Sequence, residues 1–206
     1  MRTLTKELQQ NISPSQGVEL LKEGNKRFIN NLKLNRNLLQ QLNETTDGQH
    51  PFAVIISCMD SRTSAELIFD QGLGDIFSIR IAGNIINEDI LGSAEYACKV
   101  IGAKVVLVLG HTSCGAIQGA IDQVQLGYLH YITQKIERCI PDRSGHTRGD
   151  LIAATTTENV MQSIEDLRTR SSILKQLEHS KQIKIVGGVY DVGSGKVTFL
   201  NDQNLD

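Results

Sequence analysis

Cys58, His111 and Cys114 are the residues of this chain best suited to hold a metal ion. Two thiolates and one imidazole are suitable ligands for Zn²⁺, and three protein ligands leave the fourth tetrahedral position to water, as in catalytic sites. His111 and Cys114 lie close enough in sequence to meet one ion from a single turn, whereas Cys58 has to arrive from a distant segment that folding makes adjacent. The H-x-x-C spacing is weak by itself, because buried cysteines are common. Its neighbours strengthen it. In CMDSR the residues Cys58, Asp60 and Arg62 alternate, and an extended segment sends all three side chains to one face. A guanidinium fork grips a carboxylate bidentately, keeping Asp60 ionised and oriented close to the metal. As a mere surface ion pair the two residues would contribute only about 0–1 kcal/mol.

Charge counting gives the pair a purpose. Two thiolates cancel the charge of Zn²⁺, so this ion acidifies its water less than one held by histidines alone, and Asp60 is expected to supply the difference. It accepts a hydrogen bond from the metal-bound water or hydroxide and leaves the hydroxide as nucleophile at neutral pH. Carboxylate is also a competent zinc ligand, so Asp60 in the fourth position would give a closed, inactive site; Arg62 opposes this by holding Asp60 away. Cys98 and Cys139 read as packed thiols, and no spacing selects His50, His130, His146 or His179 as a proton relay.

These residues need a scaffold that brings distant loops together. Apolar runs at Phe52–Ser57, Ile76–Ile81, Lys104–Gly110 and Ile183–Val189 are separated by segments of helical periodicity. Continuous β-branched runs such as AVII and VVLVL suit strands buried on both faces of a parallel sheet covered by crossover helices. Cys58, His111 and Cys114 then fall where strands give way to loops, the ligand-binding edge of such sheets. Ile90, Leu91, Ala94, Tyr96, Ala97 and Val100 predict a helix stopping near Gly102, and TTTENVMQSIEDLRTRSSILKQLEHS predicts two more. VYDVGSGKVTFL predicts a hairpin adding an antiparallel edge strand near the C-terminus. Its glycines do not follow the dinucleotide-binding spacing. Ahead of the sheet, Val18, Leu21, Phe28, Ile29 and Leu32 form an apolar stripe on a predicted helix over 15–34, followed by a polar connection. The expectation is an α/β fold in one domain spanning 1–206, with a helical arm and connection over 1–48 and a zinc-binding core over 49–206.

Composition agrees and excludes alternatives. The chain has 206 residues, 40% hydrophobic and 21% charged, which suits one globular domain. A net charge of −2 gives no electrostatic case for nucleic acid or an anionic membrane. The polar start lacks a secretory signal and no run approaches the roughly 18 apolar residues of a membrane span, so a cytoplasmic protein is expected. Four irregularly spaced cysteines do not make a disulfide scaffold.

The segment SCMDSRTSAELIFDQGLGDIFSIRIAGNIINEDILGSAEYA, followed by VVLVLGHTSCGAIQGAI, resembles the core of the β-class carbonic anhydrases. C-x-D-S-R, GD-x-F, R-x-AGN and GH-x-x-CGA occur together, and weaker similarity runs on through GGVYDVGSGKVTFL. The resemblance implies one Zn²⁺ per subunit on Cys58, His111 and Cys114, an Asp60–Arg62 dyad, and reversible hydration of carbon dioxide to bicarbonate and a proton. It also implies a hydrogen bond to substrate from Gln49 and an apolar pocket of Phe77, Ala82 and Tyr96 beside Gly115. Ala82 stands where the family often has Val, and Ile81 replaces a common Asn. Homodimers or higher homo-oligomers are implied, with N-terminal helices wrapping a partner and sites at the subunit interface; an arm folded back on its own domain would show the same stripe. Two other readings of these residues are a hydrolase of another small linear molecule, such as carbon disulfide, and a non-catalytic zinc-stabilised binding protein.

Overall fold

The computed structural model describes residues 3–200. Its centre is a five-stranded sheet of β1 (Ala53–Ser57), β2 (Ile76–Arg80), β3 (Val105–His111), β4 (Lys184–Tyr190) and β5 (Val197–Leu200), in the order β2-β1-β3-β4-β5. The first four strands are parallel and β5 is antiparallel to β4. The runs predicted from the sequence shift by one residue at several ends; the consequential shift brings His111 into β3 as its last residue.

β1 and β3 are buried along their whole length. Alternate residues serve opposite faces. Val54, Ile56, Val106 and Val108 pack under α5 (Glu88–Glu95), α8 (Arg148–Arg170) and α9 (Ser172–His179). Ala53, Ile55, Val105, Leu107 and Leu109 pack against α2 (Pro14–Ile29) and the short α4 (Ala65–Ile68). The helix predicted near Gly102 begins as α5 and continues through a π-helical segment, Tyr96–Ile101, to Gly102 at φ +95°. α8 starts with a capping box in which Thr147 and Asp150 satisfy each other's amides, so it begins ahead of the predicted apolar pattern.

The N-terminal region is three helices: α1 (Lys6–Asn11), α2 and α3 (Leu38–Glu44). α2 is shorter than predicted, since the chain turns at Asn30 and at Asn31, which has φ +54°. Its stripe is largely spent within the chain: Leu21 is fully buried and Val18 nearly so, against the sheet. Truncating such a leucine to alanine costs about 2–5 kcal/mol, so Leu21 ties α2 firmly to its own domain. Asn25 adds a polar staple, donating to the carbonyls of Ile68 and Gly195 and accepting from the amide of Val197. Ile29 and Leu32 remain exposed, as do Leu38, Leu39 and Leu42 of α3. α3 lies in what the sequence reads as a polar connection, and it forms because Asn37 caps it while Gln41 is wholly buried.

Candidate metal centre

Chain connectivity, more than any local pattern, creates the site. From β1 the chain passes to β2 on one side, and from β3 it passes to β4 on the other. The loops leaving β1 and β3 therefore diverge, opening a crevice at the switch point where parallel sheets receive ligands. Ser57 is in register with Leu109, so Cys58 emerges beside the end of β3, where His111 closes the strand. The turn after His111 places Ser113 at φ +58° and delivers Cys114 to the start of α6 (Gly115–Ile121).

The ligand atoms of Cys58, His111 and Cys114 all lie within 4.8 Å of one another, and all three residues are buried. His111 Nδ1 is 2.9 Å from the carbonyl oxygen of Thr112, the contact that makes Nδ1 the protonated nitrogen and leaves Nε2 with a free lone pair. Nε2 is buried and has no hydrogen-bond partner among the described residues. Cys58 is held toward the thiolate, chiefly by the adjoining Cys114 thiol and further by the amides of Asp60 and Gly83, against the opposing effect of burial. Cys114 is driven the other way, by Cys58 first and then by burial, although the amides of Ala116 and Ile117 favour its ionisation. Two adjacent buried thiols resist ionising together unless a cation compensates them. The orphaned nitrogen and the paired sulfurs thus fit a divalent ion with affinity for nitrogen and sulfur.

Asp60 stands just outside this trio. Arg62 donates through its backbone amide and Nε to Asp60 Oδ1, each at 2.9 Å, and through Nη2 to Oδ2 at 2.8 Å. The pairing arises in a turn, with the Thr63 amide donating to the Asp60 carbonyl, and not in the extended segment predicted from the alternation of CMDSR. Arg62 holds the Asp60 carboxyl far below the usual carboxylate range. Arg62 Nη2 also reaches the carbonyl of Ser113 at 3.4 Å, linking the loop after β1 to the loop after β3. Arg80, at the end of β2, donates to the carbonyls of Cys58 and Asp60 and fixes the same loop from its other side.

The remaining expected residues divide. Gly115 follows Cys114 directly, and Ala82 precedes Gly83, whose amide donates to Cys58 Sγ at 3.4 Å. Phe77 and Tyr96 line a separate groove of about 550 Å³ along β2 and α5, with Val54, Ile79 and Gly92, and none of the three cluster residues borders it. Gln49 lies beside Gly74, ahead of β1 and β2 and so at the opposite end of the sheet. One chain alone does not gather Gln49, Phe77 and Tyr96 around the cluster. Cys98 and Cys139 are buried thiols outside it, their pKa values pushed up by burial to about 12 and about 11. Sequence reasoning overlooked Gly83, whose signal is the left-handed conformation its position in R-x-AGN requires, and Arg80 in the same motif.

Comparison with known proteins is consistent with this geometry. The family model for carbonic anhydrase matches residues 53–197. A carbonic anhydrase 2 of Mycobacterium tuberculosis is 36% identical over 200 residues, covering 90% of this chain and 92% of that protein. A carbonic anhydrase of Mycolicibacterium smegmatis is 34% identical over 195 residues, covering 91% and 93%. Among solved structures, the β-carbonic anhydrase CafA of Aspergillus fumigatus superposes with a TM-score of 0.71 at 29% identity, covering 78% of this chain and 80% of that one. The β-carbonic anhydrase CcaA superposes at 0.69 with 29% identity, covering 88% and 94%. The fold and its switch-point site are those of a parallel-sheet enzyme built around a thiolate and imidazole cluster. The chain belongs to the β-class carbonic anhydrases, enzymes whose general reaction is the reversible hydration of carbon dioxide.

Proposed function

We propose that this enzyme interconverts carbon dioxide and bicarbonate with one Zn²⁺ per subunit, held by Cys58, His111 and Cys114. The observation that carries the assignment is the buried, unpartnered Nε2 of His111 within 4.8 Å of two buried sulfurs. Zinc, when bound, supplies the Lewis acidity that makes water a nucleophile near neutral pH. Asp60 supplies orientation. An ionised carboxylate has about four acceptor positions, and Arg62 takes three through the bonds already described. The one left is available to accept a hydrogen bond from the attacking water. Because Arg62 keeps Asp60 so acidic, Asp60 does not retain the released proton at neutral pH, which has to pass to solvent buffer. Arg62 also keeps both carboxylate oxygens engaged, which supports the open arrangement over a fourth-ligand role for Asp60.

Ala82 and Gly115 form the pocket wall contributed by the same chain, and Gln49, Phe77 and Tyr96 are assigned to a second copy. Their support is position: Gln49 and Tyr96 are exposed, Phe77 and Tyr96 border a groove that none of the cluster residues lines, and Gln49 lies beside Gly74. Carbon dioxide has no net charge or dipole, so an apolar wall and one amide donor suit it. The working enzyme is accordingly a homodimer or higher homo-oligomer of a single α/β domain, with residues 1–48 as its helical arm, acting in the cytoplasm. None of its helices is long and apolar enough to cross a membrane among the described residues.

Stopped-flow carbon dioxide hydration from pH 6 to pH 9, run on protein of measured zinc content, tests the assignment. One zinc per chain with turnover well above the buffer rate is expected; a zinc-loaded protein at the buffer rate throughout would overturn it.

A further inference from the structure

We infer that Asn159, on α8, is a positioning residue for the metal centre: it fixes the Gly83 backbone so that the Gly83 amide donates a hydrogen bond to Cys58 Sγ. This rests on the reading of Cys58 as a metal ligand and extends it to residues beyond the ligand set.

Asn159 is buried, yet its side chain makes no use of its own helix. Its Nδ2 donates at 2.8 Å to the carbonyl of Gly83, 76 residues away in sequence, and Ser163, one turn further along α8, donates at 3.1 Å to the carbonyl of Asn84. Two consecutive carbonyls of the loop after β2 are thereby satisfied from one helix face. Gly83 is also confined sterically. It sits at φ +68°, and a Cβ there would lie 2.7 Å from Ile136 Cδ1 and 3.2 Å from Ala116 Cβ. With its carbonyl held by α8 and its α-carbon packed against α6 and α7 (Leu129–Glu137), the peptide has little freedom left. Its amide meets Cys58 Sγ at 3.4 Å in a buried setting.

An amide aimed at a thiolate sulfur draws electron density from it, so that sulfur donates less to a bound cation and the cation keeps more of its charge. A centre with two thiolates needs that correction more than one built from neutral ligands. Partners of ligating atoms tune metal sites in this way, and losing one typically costs about 10–100-fold in metal affinity or activity.

The test uses the full-length protein exchanged with cobalt(II), whose sulfur-to-metal charge-transfer bands report on the thiolates directly. Asn159→Leu is expected to move those bands to longer wavelength, because the Cys58 sulfur then donates more strongly to the metal. Ser163→Ala, which leaves the Gly83 carbonyl capped, is expected to move them much less. Unchanged bands in Asn159→Leu, or equal shifts in both variants, would overturn the inference. A measurement on the unsubstituted protein serves if Asn159→Leu does not fold. After loading with ¹¹³Cd, scalar coupling between the Gly83 amide proton and cadmium is expected across the hydrogen bond to Cys58. Cadmium bound at Cys58 and Cys114 without that coupling would refute the role of Gly83 and Asn159 alone. A protein that takes up none of these metals would refute the ligand assignment, and this inference with it.

Discussion

The two ends of the proposed active site are built differently. Around Cys58, His111 and Cys114 every group is held by its own chain: Arg62 grips Asp60, Arg80 fastens the loop carbonyls, and Gly83 donates to sulfur. Along β2 and α5, by contrast, Phe77 and Tyr96 border an open groove, and Tyr96 is 53% exposed. The metal end is therefore preorganised by folding, whereas on the proposed reading the pocket end is completed by assembly. Fixing a charged constellation takes dense hydrogen bonding from rigid elements, which one domain can provide. An apolar wall needs only shape, and a second copy can bring that.

This contrast can be broken at three levels. The largest effect belongs to the trio: Cys114→Ser is expected to lose bound zinc and essentially all hydration activity. Metal analysis of the purified variant checks this, and retained stoichiometric zinc would remove Cys114 from the ligand set. Next comes the dyad. Asp60→Asn is expected to keep zinc but lose about 100-fold or more in kcat, the scale of one preorganised hydrogen-bonding group lost from a site. The pH dependence sharpens this. A carboxylate whose pKa is depressed in the fold keeps its charge, and its stabilising pair with Arg62, at every pH above the ordinary carboxylate range, losing them only as pH falls through the lowered value. No activity limb between pH 6 and pH 9 should therefore belong to the titration of Asp60 itself, so Asp60→Asn is expected to lower the whole profile and still show a pH limb. A profile that loses its limb altogether in Asp60→Asn would show that Asp60 itself titrates there and contradict this reading.

The smallest effect is expected at the pocket. Tyr96→Ser should leave zinc content unchanged and raise KM or lower kcat/KM by about tenfold, the scale of one truncated apolar contact of 1–3 kcal/mol. Sedimentation of the same variant separates loss of pocket from loss of partner. If the unsubstituted enzyme is fully active as a monomer at micromolar concentration, the division between a folded end and an assembled end fails.

The expected strands all occur, because continuous β-branched runs buried on both faces leave few alternatives to a parallel sheet. α1, α3, α4, α6 and α7 are not individually predicted by the sequence. They are short and stabilised by particular partners: Gln9, inside α1, donates to the distant carbonyls of Pro51 and Ile101. Periodicity over a few residues cannot register bonds of that kind. The N-terminal stripe shows the same limit. It records that one face is buried, and only the packing of Leu21 on the sheet identifies whose surface buries it.

By itself the sequence determined the ligand chemistry, since Cys, His, Asp and Arg carry their reactivity wherever they stand, and it determined the strands that carry those residues. Only the tertiary structure decided where they meet. The meeting depends on β2 and β4 lying on opposite sides of β1 and β3, a choice of strand order that no local residue pattern encodes. Tertiary contacts also recruited Asn159 and Gly83 to Cys58 across 76 and 25 residues of chain, through hydrogen bonds that exist only once the helix and loop are packed.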